Sequence, residues 1–465
     1  MNYQVSQHID NNKVFIVQRS EIEGRLDPKM ALYNRKVQNS LYPKVKLKDV
    51  LVCKPQYGAS EPGVPRSSIK EPRYIRITDI DENGLISHDE LGATAKIIEN
   101  KYILCENDIL IARSGATVGK AYIHKPALYD CFFAGYLIRF IINTDKALPE
   151  YIFTYTQLNA YKEWVNAIQR PSGQPNINSE EYQSLEIPLP NIERQQVIVD
   201  VIKSAYLQKK QKESEAKQLL DNVDAYILNE LGITLPEIKT DLKNRIFKVN
   251  RSELEERLDP TVYKDGIKLI SNNYDNVKLS SVAYVNPTGT FKGKDIETPI
   301  SFIPMESIDE VYSEVSKLED TTIENALGFT KFKEGDLLWA KITPCMQNGK
   351  SAIAKNLTNG LGCGSTEFFV MRNKDERLAI EYLHVILHMK CVRETAMLYF
   401  GGSAGQQRVS SAFLENFNLP LPPKNKQIEI ANHVYTIRQK AKALQEEGKV
   451  LLEEAKRKVE SMIIG

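Results

Sequence analysis

The chain repeats itself, and this constrains its fold more than any other feature. The decapeptide Arg19–Pro28 returns as Arg251–Pro260, changed only at Ile22/Leu254 and Gly24/Glu256, at an offset of 232 residues. The same offset relates Val45-Lys46-Leu47 to Val277-Lys278-Leu279, and Ile187-Pro188-Leu189-Pro190 to Leu419-Pro420-Leu421-Pro422. It also relates Gln195 to Gln427 and Gly173-Gln174 to Gly405-Gln406. Between these anchors the offset drifts to 228 for Glu106–Leu110 against Glu334–Leu338, and to 230 for Gly119-Lys120 against Gly349-Lys350. Loops tolerate such length changes. One unit has been used twice.

Both copies follow the same order. A segment ending in Arg-Leu-Asp-Pro opens each one. Short β-type runs follow, such as Tyr74–Ile77, Asp108–Ala112 and Gly135–Ile142, separated by Gly, Pro and Asn. Helical spacing predicts a helix over 149–167, with a counterpart near 380–398. A Pro-Leu-Pro strand closes the region, and a long helix follows, about 192–231 in the first copy and 425–464 in the second. In the second helix Val434, Ile437, Ala441, Leu444, Gly448, Leu451 and Ala455 alternate by three and four, an a/d seam. In the first, Ile198, Ile202, Ala205, Ala216, Leu219, Val223 and Tyr226 fit that register, with Lys209 and Lys212 interrupting. About 38 residues at ~1.5 Å each give a rod of roughly 55 Å. Such a seam needs a partner, and the natural one is the other copy's helix, antiparallel. The predicted fold class is therefore α/β (α+β), with two globular domains and two long antiparallel helices under an internal pseudo-twofold repeat. The expected divisions are 1–43 as the opening segment, 44–190 as the first domain and 191–232 as the central helix. Residues 233–275 form the connector and second opening segment, 276–422 the second domain and 423–465 the last helix.

Composition excludes several classes. The 465 residues are 42% hydrophobic and 26% charged, enough for real cores. No run of about 18 apolar residues predicts a membrane span. The first residues lack the apolar stretch of a secretory signal, and six scattered cysteines without a Cys-x-x-Cys pair suit reduced thiols, so a cytoplasmic location is expected. The formal net charge is +1. It gives no global signature of nucleic-acid binding.

The repeated order resembles the specificity subunits of type I restriction–modification systems. The residues that carry the likeness are Ile187–Gln196 and Leu419–Pro423 with Gln427, each leading into a long helix, the run Asp108–Lys120, and the turn Ser172–Asn178. The second copy departs at Ala340–Lys350 and at Ala404–Val409. The resemblance implies a chain that binds double-stranded DNA and performs no chemistry. Each target recognition domain would read half of a split site. The helices would set the spacing and dock two modification subunits. Restriction subunits, which cleave and translocate DNA, would join them. S-adenosylmethionine, ATP and magnesium would belong to those partners, with no cofactor, metal or catalytic residue in this chain.

The residues themselves agree with a binding role. Adenine methylation needs an Asn/Asp-Pro-Pro-aromatic loop, and Asn286-Pro287-Thr288-Gly289, the nearest string, reads as a turn. Gly115–Ala121 has three residues between its glycines, and Ala121 after the lysine, where a phosphate loop needs four and Ser/Thr. It reads as a strand–turn–strand. His384 and His388 share a helix face without further zinc ligands, which suits a packing or surface role. Asp79 and Asp81 suit turn bonding. The Arg25/Asp27 and Arg257/Asp259 pairs suit either local ion pairs or a partner contact.

Residues 44–190 carry 17 Lys+Arg and 18 Asp+Glu, so charges must segregate if this region holds DNA. The candidates in the first copy are Arg66, Lys70, Arg73, Arg76, Arg113, Ser114, Thr117, Lys120 and Arg170, with Gln174, Asn176 and Asn178 for base readout. In the second they are Lys292, Lys294, Lys341, Thr343, Asn348, Lys350, Gln406, Gln407 and Arg408. Solvated cations and satisfied turns are the plain alternatives for these positions. Two other functional classes fit a duplicated chain: an autonomous DNA methyltransferase or nuclease with fused recognition domains, and a protein–protein scaffold.

Overall fold

The computed structural model describes residues 28–36, 40–87, 90–169, 175–236, 248–249, 251, 259–402 and 406–465. The chain forms two compact units, Met1–Gln211 with Glu447–Gly465, and Lys212–Glu446. The first unit therefore takes the end of the second long helix, and the second unit takes the end of the first.

In the first unit the unalternating apolar run becomes the strand Ile109–Ala112, buried along its whole length. A strand covered on both faces has no polar positions to alternate. It lies between Leu137–Phe140 and Ala121–Ile123, all antiparallel, with Gln56–Tyr57 at the far edge. A second four-stranded sheet runs in the order Gly63–Pro65, Ala93–Ala95, Arg73–Ile75 and Cys131–Phe133, the last pair parallel. Lys44–Lys46 pairs antiparallel with Glu186–Pro188, so the strand that opens the domain meets the one that closes it.

The second unit repeats this plan. Its central strand is Leu337–Ala340, flanked by Phe368–Asn373 and Ser351–Ile353, with Ala283–Val285 at the edge. The other sheet pairs Pro299–Ile303 parallel to Leu361–Gly364, with Glu319–Thr322 and Thr330–Lys333 outside them. Asp275–Lys278 pairs with Asn418–Leu421. The recurring Glu-Asn/Gly-Asp-Ile/Leu-Leu motif is the turn into each central strand. Asn107 and Gly335 hold φ of 69° and 83° there, and the buried Asp108 and Asp336 accept from the backbone N–H three residues earlier, at 2.9 and 2.8 Å. Arginines from the neighbouring strands complete both acids, Arg139 with Asp108 and Arg372 with Asp336.

Each predicted domain helix is two helices. Pro149–Tyr155 and Asn159–Ile168 are separated by a turn at 156–158, and Ile380–His388 and Lys390–Met397 meet at a non-helical Met389. Apolar spacing carries through such breaks because both pieces face one core, so periodicity alone does not reveal them. The first long helix is likewise Ile192–Asp221 followed by Val223–Glu230, and the second is continuous over Lys424–Ile463. Gly232, at φ 61°, ends the first, with Ile233 N–H returning to the Leu228 carbonyl.

The long helices pack antiparallel inside each unit. In the first, Ile198, Val199 and Ile202 share a core with Val459 and Ile463, and Gly448 faces Lys209. A Cβ on Gly448 would lie 3.4 Å from the Lys209 Cα, so the glycine accommodates the lysine that interrupts the seam. In the second unit, Val223 and Ile227 share a core with Ile430 and Val434, and the Tyr226 ring packs tilted against His433. The seam drifts along the second helix, so that Leu452 is buried beside a half-buried Leu451.

Two repeated locks join helix to domain. Gln195 accepts from Leu148 N–H and donates to the Pro190 carbonyl, and Gln427 accepts from Ala379 N–H and donates to the Arg377 and Pro422 carbonyls, all at 2.8 Å. Tyr151 and Tyr382 donate to the carbonyls of Pro188 and Pro420. The second lock crosses between copies. Glu460, near the end of the second long helix, accepts from Ala160 N–H at the start of Asn159–Ile168, at 2.7 Å. Asp224, near the end of the first, accepts from Lys390 N–H at the start of Lys390–Met397, at 2.8 Å. A carboxylate is favoured there by the unpaired amides and the dipole of a helix start.

Of the Arg-Leu-Asp-Pro segments, Arg25, Asp27 and Arg257 lie outside the described residues. Asp259 caps the helix Pro260–Asp265 by accepting from Thr261 N–H.

Candidate nucleic-acid interface

The Gly115–Lys120 run is a turn between two strands. Gly115 and Gly119 hold φ of 81° and 88°, and a Cβ on Gly119 would come within 2.8 Å of Val165. Glycine is required there for turn geometry. In the second copy Gly349, at φ 86°, occupies the same place before Lys350. Asn286, at φ 52°, is also a turn residue, and its side chain accepts from Val370 N–H. Asp79 accepts from Arg76 N–H, and Asp81 from Asn83 and Leu85 N–H, so both carboxylates serve turns.

Several sequence candidates are committed inside the fold. Arg66 and Arg73 are 3% and 1% exposed. Arg66 donates to the carbonyls of Ile69, Glu71 and Leu91, and Arg73 to that of Ser87. They hold chain segments together and do not face outward. Lys120 donates to the Ile80 carbonyl and Lys350 to the Met305 carbonyl, so this pair of lysines ties the turn to the segment after Arg73–Ile75 in one unit and after Pro299–Ile303 in the other, the first member of the parallel strand pair in each. Asn178 caps Ser179–Gln183 by accepting from Glu180 and Glu181 N–H. Asn348 donates to Glu310, and Thr343 Oγ1 accepts from Gln407 N–H. A basic or amide residue in a turn has the same signature in sequence whether it faces outward or inward. Burial decides these cases. His384 and His388 are packing residues, meeting Ser351 Oγ and the Glu310 carbonyl, and burial drives both imidazoles well below their ordinary value.

The remaining candidates stay on the surface. Lys70, Thr117, Asn176, Lys292, Lys294 and Gln406 are exposed. Arg76 is paired with Asp79 at 3.0 Å. Arg113 lies over the Tyr57 ring at 5.0 Å, and Lys341 over Phe369 at 5.6 Å. Arg170 and Gln174 lie outside the described residues.

One cluster gathers candidates from both halves of each domain. At the end of the central strand, Arg113 N–H donates to the Tyr136 carbonyl, and Ser114 bridges Asn176 across 62 residues of sequence. In the second copy Lys341 N–H donates to the Glu367 carbonyl, and Ile342 bridges Arg408. The backbone pairing thus makes Arg113, Tyr136 and Asn176 equivalent to Lys341, Glu367 and Arg408. Tyr136 is 63% exposed. Glu367 takes the Arg408 guanidinium on both oxygens, at 2.7 and 2.9 Å, and this pairing lowers its carboxyl below the usual range. Sequence reading missed Tyr136 and Glu367 because each stands at the start of an apolar strand, without a motif. Comparing the two copies by strand register, where the chemistry changes from tyrosine to carboxylate, would have found them.

Comparison with known proteins places this arrangement. The model of the family described as type I restriction modification DNA specificity domain matches residues 70–220 and 271–453. The chain belongs to this family. Each match spans most of a recognition domain and much of the long helix after it. The type I restriction enzyme EcoEI specificity subunit of Escherichia coli is 35% identical over 164 residues, 35% of this chain and 27% of that protein. The EcoAI specificity subunit of the same organism is 34% identical over 183 residues, 38% and 29% of the two chains. These two matches span under a third of the relatives' length. The MjaVIII specificity subunit of Methanocaldococcus jannaschii is 19% identical over 375 residues, 79% of this chain and 81% of its own. A chain solved in a study of complex assembly and conformational transition of the type I R-M system superposes with a TM-score of 0.50, at 16% identity, over 90% of this chain and 96% of that one. It shows the same fold. No helix among the described residues is long and apolar enough to cross a membrane.

Proposed function

We propose that this chain is the DNA-specificity subunit of a type I restriction–modification complex, that it performs no chemistry itself, and that each domain reads one half of a bipartite target. The observation that carries this reading is the duplication itself. Two domains of one plan, each covered by the family match, are each tied by the same glutamine and tyrosine locks to a long helix. A duplicated scaffold with a diverged surface suits two different half-sites. Residues 44–190 form the first recognition domain and 276–422 the second. The helices set the spacing between half-sites and dock two modification subunits, which bring S-adenosylmethionine. Restriction subunits with ATP and magnesium complete the assembly, in the cytoplasm.

The test is domain exchange. Residues 44–190 are replaced by the matching region of a relative, the complex is assembled, and methylated sites are mapped. One half-site is expected to change while the other persists. Two unchanged half-sites would remove the assignment. Inserting residues into 192–221 is expected to lengthen the spacer or abolish activity, because separation between reading heads sets half-site geometry.

A further inference from the structure

We infer that the surface at the end of each central strand is where bases are read, and that Glu367 with Arg408 reads a G·C pair in the second half-site while Arg113 and Asn176 serve that position in the first. This rests on the DNA-specificity reading above and deepens it.

Groups that hold the scaffold are the same in both copies: Gln195 and Gln427, Tyr151 and Tyr382, Asp108 and Asp336, Gly119 and Gly349, Lys120 and Lys350. The three outward positions at the strand end differ in all three places. Arg113, Tyr136 and Asn176 become Lys341, Glu367 and Arg408, although the backbone hydrogen bond and the bridge that place them are kept. A surface that keeps its backbone and changes its donors and acceptors between copies is built to discriminate.

The chemistry then assigns the bases. A carboxylate has only acceptors, and among the major-groove edges cytosine N4 is a donor it suits. Arginine suits guanine O6 and N7, and asparagine suits adenine. The second copy presents a carboxylate and a guanidinium side by side, the complement of one G·C pair. Glu367 is 21% exposed and Arg408 43%. The guanidinium gives Nε and Nη2 to the carboxylate and Nη1 to the Gln406 carbonyl, so each side chain is fixed, with the second Nη hydrogens and carboxylate lone pairs left for a base pair. The first copy has no carboxylate at these positions. Its Arg113 is steadied by Tyr57 and, among the described residues, has no ion-pair partner. The first half-site therefore gets donors from Arg113 and both kinds of group from Asn176.

The experiment uses the assembled complex and mapped methylation on a library of half-site variants. Glu367→Gln is expected to relax one G·C position of the second half-site by about 10- to 100-fold, leaving the first half-site unchanged. Arg113→Ala is expected to relax a position in the first half-site alone. Arg408→Lys provides a second probe of the same pair should Glu367→Gln assemble poorly, with relaxation expected at the same G·C position. If assembled variants keep full discrimination at both half-sites, the assignment of this surface is overturned and the DNA-specificity reading stands. If the wild-type complex shows no dependence on this chain for site choice, that underlying reading fails instead.

Discussion

Replacing Gln427 with leucine tests what joins a recognition domain to its helix. Gln427 is fully buried. Leucine fills a similar volume, so the cavity term is small, and the loss is polar. Ala379 N–H loses its acceptor, and the Arg377 and Pro422 carbonyls lose a donor, each from a 2.8 Å bond. A buried group left unpaired costs about 1–3 kcal/mol. Counting partial relaxation, and that a carbonyl has a second lone pair, the three together give on the order of 3–5 kcal/mol. That is a large share of the 5–15 kcal/mol typical of a folded domain. The readout is built in, because the chain has two tryptophans, Trp164 in the first unit and Trp339 in the second, 2% and 1% exposed. Trp164→Phe leaves a reporter of the second unit, and Trp339→Phe one of the first. With a urea m-value of about 2–3 kcal/mol/M, Gln427→Leu should lower the Trp339 midpoint by roughly 1–2 M and disturb the Trp164 midpoint far less. Gln195→Leu should do the reverse. A shift under about 0.3 M, or equal shifts at both reporters, would refute the reasoning that each glutamine is a buried lock within its own unit.

Two further outcomes follow from packing inside the units. Asp224→Ala and Glu460→Ala remove the carboxylates that cap Lys390–Met397 and Asn159–Ile168, and each should cost about 1 kcal/mol, seen as faster amide exchange in the first turn of the capped helix. Acid should weaken the unit that holds His384. Burial lowers this imidazole to about 3, so between there and an unfolded value near 6.5 only the unfolded chain binds the proton. Stability from this group is complete above about 6.5 and falls as pH drops, by roughly 2 kcal/mol at pH 5. The Trp339 midpoint should fall accordingly, and His384→Asn should reduce that dependence, with the part owed to the buried His388 remaining; a midpoint unchanged between pH 7 and pH 5 would contradict it.

The two-copy architecture was legible because duplication leaves anchors at a nearly constant offset, and several anchors among the described residues are working parts. Gln195 and Gln427 are the helix locks, and the Asp108 and Asp336 motifs are the turns into buried strands. The helix breaks at 156–158 and Met389 were not legible, since residues on either side bury against the same core. The antiparallel pairing of the long helices was legible from their seams, whereas the carboxylates that fix each helix end were not, since Glu460 meets Ala160 and Asp224 meets Lys390 across 300 and 166 residues of sequence. The candidate interface was half legible. Arg113 comes together with Asn176 in one unit, and Lys341 with Arg408 in the other, as exposed or half-exposed groups, whereas Arg66, Arg73, Lys120 and Lys350 turn inward. A charged side chain in a strand-rich domain is one of the cheapest ways to tie loops through backbone carbonyls, and nothing local distinguishes that use from phosphate binding.

That inward use of charge bears on how DNA is held. Of the cations proposed for the first domain, Arg66, Arg73 and Lys120 are engaged with carbonyls and Arg76 with Asp79, and Arg113 is assigned to a base, so among the described residues Lys70 remains. In the second, Lys350 and Arg408 are engaged, and Lys292, Lys294 and Lys341 remain. About four phosphates can be neutralised from these positions. Each neutralised phosphate contributes about −0.9 to the slope of log K against log salt, so the isolated chain should show a slope of roughly −3 to −4. Between 50 and 200 mM salt its affinity would then fall by under about 10³-fold, toward the low end of the range for proteins with 6–10 phosphate contacts. The assembled complex should be steeper, with the added slope supplied by its modification subunits. Filter binding at several salt concentrations, with and without those subunits, measures both slopes. A slope of about −8 or steeper for the chain alone would mean that it carries a full phosphate-binding surface of its own, and that the proposed division of work between reading bases and gripping the backbone is wrong.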